Sequence, residues 1–371
     1  MLMHARASLS ALVLLFTFVS AAEALDAITA PQFLELSRSC KTQSSTPAST
    51  KAQTIARTAA EEHQAFNGNR VDHTGRMLYF GYAESESDQV SAGSISSNKI
   101  PWRRVLRYWE ALNEGKPTLQ KANDDLAAWY YSGILSDFSD TPINRKIMDL
   151  DRALQAINAL ELSGLGEQAP ELRRVLQQSV IRSSISDVPW SAAFVSFVVK
   201  SADLASSTQF RYSAGHIDYI TQAVMQSASE VGGTQRRSFY RACDPDNTRP
   251  RVGDLYCYHR HGEKTPDAYV MHDQTLFRSI LNDIVTGANR IKRSHCDIVV
   301  RVDDAAKKVT VVGGNVQNSV TEKTLNLNQA GALSTVHKDN ACAGNTSTAA
   351  DTASNCNLND QKWFVLLQSR Y

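Results

Sequence analysis

The sequence predicts an α+β fold in which a buried central helix packs on an antiparallel sheet. Apolar residues recur at helical spacing through the first two thirds of the chain, whereas short strand-like segments follow Pro250. Between these parts, residues 190–200 are apolar on every side, which is typical of a helix buried all round. Helices that precede strands in this order favour an α+β architecture.

Helical periodicity predicts helices over residues 52–66 and 212–227. Pro101 opens a further amphipathic helix, because proline is favoured in the first helical turn. Residues 116–182 carry stripes of apolar side chains and are predicted to form an all-helical insertion. Asp187 is expected to cap the central helix.

Strand-like alternation follows in five segments. These are residues 253–258, 297–302, 309–312, 319–327 and 363–367. The second and third segments flank a short polar loop and are expected to pair as a hairpin.

The first residues are typical of a secretory signal peptide. A short basic region precedes an apolar run, and small residues lead to an expected cleavage after Ala24, with Ala22 as the alternative. The apolar run is shorter than the roughly 20 residues that span a membrane. The mature protein is therefore expected to be periplasmic or secreted, with no membrane span.

The chain carries 39 basic and 38 acidic residues, which gives a net charge of +1 and argues against nucleic acid as a partner.

Its organisation is predicted in five regions. These are a signal peptide at 1–24, a linker at 25–50, an N-terminal helical part at 51–115, the insertion at 116–182 and a core with the C-terminal sheet at 183–371.

Export makes the six cysteines candidates for disulfides, although the sequence alone does not choose the pairing. Cys342 and Cys356 flank a loop rich in small polar residues, which a bridge would constrain. Cys257 and Cys296 lie in predicted strands of one sheet, where free buried thiols are the alternative.

Ser191 is the first candidate for chemistry, because it is a polar residue in the opening turn of an apolar helix. Unpaired N–H groups and the helix dipole favour developing negative charge there. The dipole does not ionise a hydroxyl, so a nucleophilic serine also needs a general base. The alternative is an ordinary first-turn serine.

His295 and Asn315 are the candidates that would assist Ser191. His295 and Asp297 share one face of a predicted strand and Cys296 points to the other, which disfavours Cys296 as a nucleophile for His295. Asn315 ends the next strand, where its amide could orient an imidazole. Each residue alone is more often structural, but together they match the order of nucleophile, base and orienter.

His216 lies on the helix after the central one and is expected to face the same groove, as a substrate contact or an alternative base. A core histidine bonded to a backbone carbonyl is an equal alternative. His259 and His261 have the spacing of metal ligands, but the sequence lacks H-E-x-x-H and paired C-x-x-C motifs. We therefore predict no metal and no cofactor.

Several segments resemble amidases of the papain-like superfamily. PWSAAFV at 189–195 is similar to the P-W-C-A-A-F-V nucleophile segment of some CHAP-type and NlpC-type enzymes, with serine in the cysteine position. PRVGDL at 250–255, HCDIV at 295–299 and VVGGN at 311–315 resemble their later strands in the same order.

A fuller resemblance is to the bacterial family called domain of unknown function 2272. In that family serine replaces the cysteine and F-x-x-S-x-x-H-x-x-Y is typical, here at residues 210–219. Segments 81–84 and 104–109 also resemble it, so the likeness is expected over most of 52–367 with 116–182 inserted.

The resemblance implies a papain-like core of the CHAP or NlpC type that hydrolyses amide bonds in peptidoglycan stem peptides. It makes Ser191 the nucleophile, His295 the base and Asn315 the orienter. Trp190, His216 and Asp297 are expected to contact substrate.

Serine in place of cysteine leaves two functions open. A serine must lose its proton during attack, so the base must be neutral and the oxyanion hole must contribute more. The chain is therefore either a serine-type amidase or an inactive papain-like module that binds peptidoglycan or a protein partner, the latter expected at the helical insertion.

Overall fold

The computed structural model describes residues 27–86, 100–112, 155–185, 189–205, 208–234, 237–259, 274–287, 294–337 and 358–370. Its helices are α1 (Ala30–Ser44), α2 (Thr50–Ala65), α3 (Pro101–Glu110), α4 (Ala169–Ile185), α5 (Ser191–Lys200), α6 (His216–Val231) and α7 (Gln274–Val285). Its strands are β1 (Asn69–Val71), β2 (Met77–Tyr79), β3 (Tyr240–Cys243), β4 (Leu255–His259), β5 (Ser294–Asp303), β6 (Lys308–Val316), β7 (Ser319–Asn326) and β8 (Lys362–Ser369).

The strands form one eight-stranded sheet in the order β2-β1-β7-β6-β5-β4-β8-β3. This confirms the predicted α+β class, and the β5–β6 hairpin pairs as expected, with Ile298 opposite Val312 and Asp303 opposite Lys308. The sheet is mixed rather than antiparallel throughout, because β1 runs parallel to β7. The difference arises from a strand of three residues that comes early in the chain, directly after α2.

The central helix α5 is buried as its all-round apolar sequence predicts. It approaches β6 so closely that a Cβ atom at Gly314 would lie 2.5 Å from the Phe194 side chain. The expected cap Asp187 lies outside the described residues, and Trp190 occupies the position before the first helical residue. A glycine on β6 therefore sets how near the helix lies to the sheet.

Helix α1 lies within the region 25–50 that the sequence analysis assigned to a linker. Thr29 and Gln32 form a reciprocal capping box at its start. Cys40 on its last turns is bridged to Cys243 on β3, which ties the helix to the edge of the sheet. The helix buries few apolar side chains, so hydrophobic periodicity gave little sign of it.

A second disulfide joins Cys257 on β4 to Cys296 on β5, which confirms this predicted pair. The two residues are direct partners in the antiparallel ladder, with Cα atoms 4.0 Å apart. The bridge thus links β4 directly to β5, the strand that carries His295. The other predicted pair, Cys342 and Cys356, lies outside the described residues.

Five elements were not predicted: α1, β1, β2, β3 and α7. The strands among them have three or four residues each, which is too short for alternation to be recognised. Two of them lie in the region 51–115, which therefore contains strands as well as the predicted helices. β1 and β3 pair with strands that are distant in sequence, β7 and β8, and β2 joins the sheet through the short β1, so tertiary structure defines all three.

The predicted insertion at 116–182 is described from residue 155 onward. This part contains α4, which continues beyond 182, and a preceding 3-10 turn. Arg173 on α4 donates to the carbonyl oxygens of Ile157 and Leu160 at 2.7 and 2.9 Å. The described part is thus helical, as predicted.

The predicted signal peptide lies outside the described residues, which begin at residue 27. Across the ranges that are described, no helix combines the length and apolar character needed to cross a bilayer. The two disulfides are compatible with an oxidising compartment.

Candidate active site

Ser191 is the first residue of α5, and its residue surface is only 3% exposed. The first main-chain hydrogen bond of the helix runs from Phe194 N to Trp190 O, at 2.9 Å. The N–H groups of residues 191–193 therefore take no part in the helical bonds, as at any helix start. Trp190 provides no side-chain cap for them. These donors and the positive end of the helix dipole lie beside the Ser191 hydroxyl.

His216 is the imidazole that Ser191 contacts. Its Nε2 lies 2.7 Å from Ser191 Oγ, and its Nδ1 contacts the hydroxyl of Tyr219, one helical turn further along α6. If the serine hydroxyl donates, Nε2 must accept, so Nδ1 carries the proton and donates to Tyr219 Oη. Ser191, His216 and Tyr219 then form one buried hydrogen-bonded chain.

The segment before α6 explains how His216 reaches this place. Ser196 on α5 accepts a hydrogen bond from Ser213 N at 3.1 Å and donates to Ser213 O at 2.9 Å. Ser213 Oγ in turn accepts from Gly215 N at 3.0 Å. Phe210 stacks on Tyr219 with ring centroids 5.0 Å apart. Each fixed residue of the F-x-x-S-x-x-H-x-x-Y segment therefore helps to position the histidine against α5.

His295 belongs to a second polar chain on the sheet. Its Nε2 lies 3.0 Å from Asp297 Oδ1, and the other carboxylate oxygen lies 2.7 Å from Lys323 Nζ. The ammonium group also lies over the rings of Tyr258 and Trp363, at 5.2 and 5.4 Å from their centroids. Burial raises the pKa of Asp297, but Lys323 and then His295 outweigh it and hold that pKa at about 2. The carboxylate is therefore ionised and fully enclosed.

The two chains meet through their imidazoles, because the ring centroids of His216 and His295 are 4.9 Å apart. The site thus contains Ser191, His216 and His295, all of which the sequence analysis named. Their contacts differ from those expected, because the imidazole that is hydrogen-bonded to Ser191 is that of His216 and not that of His295. Asp297, expected to contact substrate, is instead bonded to His295 and Lys323.

Asn315 lies at the end of β6 with a left-handed backbone, at φ 55°, which asparagine tolerates better than most residues. Within the described ranges, no hydrogen bond joins its side chain to His295, whose Nε2 is bonded to Asp297. A Cβ atom at Gly313 would lie 1.9 Å from Asp297 Oδ1. The glycine therefore makes room for the carboxylate that contacts His295.

Trp190, expected to contact substrate, is fully buried. Its indole Nε1 donates to the carboxylate of Glu84, whose own N–H donates to Asn318 O at 2.7 Å. Its ring packs on Tyr108 of α3, with centroids 5.5 Å apart. The residue before the nucleophile position is thus held by the segment around Glu84 and by α3.

A buried ion pair stabilises α3 where it contacts α5. Arg104 donates two hydrogen bonds to Glu62, at 2.7 and 2.6 Å, in the bidentate geometry that favours strong pairing. The Tyr108 hydroxyl donates to the same carboxylate at 2.5 Å, and its ring meets Phe194 edge-on. This explains the segment at 104–109 structurally, without a role in chemistry.

The Gly-Asp segment before β4 is also structural. Gly253 has φ 85°, and a Cβ atom there would lie 2.4 Å from Ala52 O. Asp254 accepts hydrogen bonds from Arg251 N and from the N–H and O–H groups of Ser369, each at 2.8 Å. Burial raises the pKa of Asp254 to about 6, although Arg251 and these donors lower it.

Among the residues that the structure describes, no cluster of three or more histidine, cysteine, aspartate or glutamate side chains has the arrangement of a metal site. His259 is buried on β4, and His261 lies outside the described ranges. The polar groups of the site in the described ranges are its two imidazoles, the hydroxyl groups of Ser191 and Tyr219, and the Asp297–Lys323 ion pair.

The chain is an α+β protein with a buried, hydrogen-bonded serine and histidine, and comparison with family models identifies its family. The model of the family described as an uncharacterized protein conserved in bacteria, DUF2272, matches residues 166–369, more than half of the chain. The chain therefore belongs to this family. The match includes Ser191, His216 and His295, but segments 81–84 and 104–109 lie outside it. Neither the curated proteins nor the solved structures yielded a match.

Proposed function

We propose that the protein is an exported serine-type hydrolase that cleaves amide bonds, with Ser191 as its nucleophile. One observation carries the proposal: Ser191 Oγ lies 2.7 Å from an imidazole nitrogen at the start of a buried helix. Nucleophilic catalysis by serine needs a base within hydrogen-bonding reach and donors for the developing oxyanion. The imidazole of His216 and the N–H groups at the start of α5 meet both needs.

The substrate class is supported by the sequence. The residues before the described part are typical of a signal peptide, and several segments resemble amidases that act on the cell wall. Amide bonds of peptidoglycan stem peptides are therefore the proposed substrates. The assignment of His295 as base and Asn315 as orienter comes from the same resemblance.

A second candidate function is an inactive module that binds peptidoglycan or a protein partner. The observation that favours it is burial, because Ser191, His216 and His295 are each at most 5% exposed. A buried serine and histidine that satisfy one another also stabilise a fold without any chemistry. Accessibility of Ser191 to a reactive probe separates the two functions.

The test uses the mature protein and a fluorophosphonate, which phosphonylates activated serine hydroxyl groups. We expect one adduct at Ser191, located by peptide mass spectrometry, and none in Ser191→Ala. The matched control is Ser227→Ala, because Ser227 is another buried serine whose hydroxyl donates to a main-chain oxygen, at 2.7 Å. That variant should still label at Ser191. A folded wild-type protein with no adduct across the neutral to alkaline range would falsify the hydrolase.

The bond is then identified with purified peptidoglycan fragments incubated with wild type, Ser191→Ala and Ser191→Cys. Products from wild type but not from Ser191→Ala indicate serine-dependent cleavage and name the bond. Products from Ser191→Cys alone indicate that the natural protein is a binding module. In that case wild type and Ser191→Ala should sediment equally with isolated sacculi, above an albumin control.

A further inference from the structure

We infer that His216, held in place by Tyr219, takes the proton from Ser191, so that the reacting chain is Ser191–His216–Tyr219 and does not run through His295. His216 is then a catalytic residue and Tyr219 a positioning residue. This inference rests on the proposed function, since it concerns the same nucleophile. It replaces the base and the orienter that the sequence resemblance assigned.

The distances favour His216 as the base. Its Nε2 lies 2.7 Å from Ser191 Oγ, which is within the range for direct proton transfer. The corresponding atom of His295 lies 3.0 Å from Asp297 Oδ1. An ionised carboxylate only accepts hydrogen bonds, so Nε2 of His295 must be a donor. That nitrogen therefore carries a proton already, which leaves only Nδ1 of His295 as a basic atom. Within the described part of the chain, the hydroxyl of Ser191 is hydrogen-bonded to His216 and not to that nitrogen.

Tyr219 has the geometry of an orienting group. It lies three residues after His216 on α6, so both side chains lie on one helix face. Its hydroxyl contacts His216 Nδ1, and its ring is fixed by the stacked ring of Phe210. By accepting a hydrogen bond from the N–H group at Nδ1, Tyr219 fixes the tautomer in which Nε2 is an acceptor towards Ser191. This is the role that a carboxylate or amide has in other triads.

The proposed steps balance as an ordinary hydrolysis. Ser191 Oγ bonds to the carbonyl carbon of the amide while its proton moves to His216 Nε2. The carbon–nitrogen bond then breaks, and the Nε2 proton goes to the leaving amine. Water next attacks the acyl-serine and gives a proton to Nε2, which returns it to Ser191 Oγ as the ester bond breaks. The products are a carboxylic acid and an amine.

The test measures the rate of Ser191 phosphonylation as a function of pH in folded variants of the mature protein. We expect His216→Ala to lose about 10²-fold or more of the wild-type rate, the usual contribution of a general base. His295→Gln should be labelled at least tenfold faster than His216→Ala. Added imidazole should partly restore His216→Ala, because a small base can enter the space that the side chain leaves. A purely structural histidine would show no such rescue.

Tyr219→Phe keeps the ring that stacks on Phe210 and removes only the hydroxyl. It should lower the rate plateau and move the acid limb of the pH–rate profile to lower pH, because the hydroxyl stabilises the protonated imidazole more than the neutral one. Circular dichroism confirms that each variant is folded.

Two results would overturn the inference while leaving the hydrolase intact. One is labelling of Ser191 that persists in His216→Ala but is lost in His295→Gln. The other is a pair of observations: imidazole does not raise the labelling rate of His216→Ala, and the pH–rate profile of Tyr219→Phe is the same as that of wild type. Failure of the wild type to label at all would instead overturn the proposed function, and the inference with it.

Discussion

Replacing Lys323 by methionine tests the electrostatics of the candidate site independently of any activity. Lys323 Nζ lies 2.7 Å from Asp297 Oδ2, and both side chains are at most 1% exposed. Methionine has a similar length and can pack against the Tyr258 and Trp363 rings. The variant therefore removes the charge while it retains most of the apolar contact. What it leaves is a buried carboxylate without its ammonium partner.

The expected cost at neutral pH is about 3–5 kcal/mol, which is typical when one partner of a buried ion pair is removed. The direction with pH follows from the pKa of Asp297, which Lys323 and His295 hold at about 2 against the opposing effect of burial. Wild type therefore has the full stabilisation above the unfolded pKa of 3.8 and loses it as pH falls through the folded value. Without Lys323, burial dominates and the pKa of Asp297 rises. The difference between the two proteins should then shrink as the solution is acidified.

Guanidinium denaturation at neutral pH and again near pH 4 measures both effects. Lys41→Met is the matched control, because Lys41 is exposed on α1, and it should change stability by less than about 0.5 kcal/mol. The double variant Asp297→Asn with Lys323→Met removes both charges and should recover much of the loss. A cost below about 1 kcal/mol for Lys323→Met, typical of an exposed pair, would refute the reasoning. A double variant no more stable than the single one would refute it equally.

Two further substitutions test the packing and the electrostatics of the fold. Gly313→Ala should destabilise the protein by about 1–3 kcal/mol, because the new Cβ atom would lie 1.9 Å from Asp297 Oδ1. In the control variant Gly164→Ala, the new Cβ atom meets nothing within 4 Å, and stability should not change. Thermal melting compares the two variants, and equal melting temperatures would contradict the expected clash. Burial, followed by Lys308 and His73, lowers the pKa of His337 from 6.5 to about 4. As the pH falls from 6.5 to 4, the histidine therefore binds a proton in the unfolded state but not in the folded state. The free energy of unfolding should fall over this range by about 1.4 kcal/mol per pH unit. His337→Gln should flatten that part of the stability profile, and an unchanged slope would show that another group titrates.

The strongest sequence patterns predicted the central elements. The helix that carries Ser191 was recognised because its side chains are almost uniformly apolar, and the strands that carry His295 and Gly313 because they contain runs of β-branched residues. Helix α1 and strand β1 were missed, because a capping box and three residues of parallel pairing give no hydrophobic period. Their place in the fold depends on a distant disulfide and a distant strand.

The sequence pointed to Ser191, His216 and His295 but not to the contacts among them, and it assigned no role to Tyr219 or Lys323. Sequence order and resemblance favoured His295 as the partner of Ser191, yet which imidazole reaches the hydroxyl depends on how α6 begins beside α5. That placement comes from Ser196 and Ser213, two small polar residues with no periodic signal. The spacing between His216 and Tyr219 was visible, however, and a three-residue interval on a helix places both side chains on one face.

The choice of serine at position 191 agrees with the neighbouring charges. A cysteine nucleophile works as a thiolate beside an imidazolium, so its site must stabilise a charge pair before reaction. Here the group that orients His216 is the neutral hydroxyl of Tyr219, and the carboxylate of Asp297 is matched by Lys323. A neutral hydroxyl stabilises a protonated imidazole less than a carboxylate in its place would, which suits the neutral base that the proposed serine nucleophile requires. The proposed roles of serine as nucleophile and of tyrosine as orienting group therefore have one physical explanation.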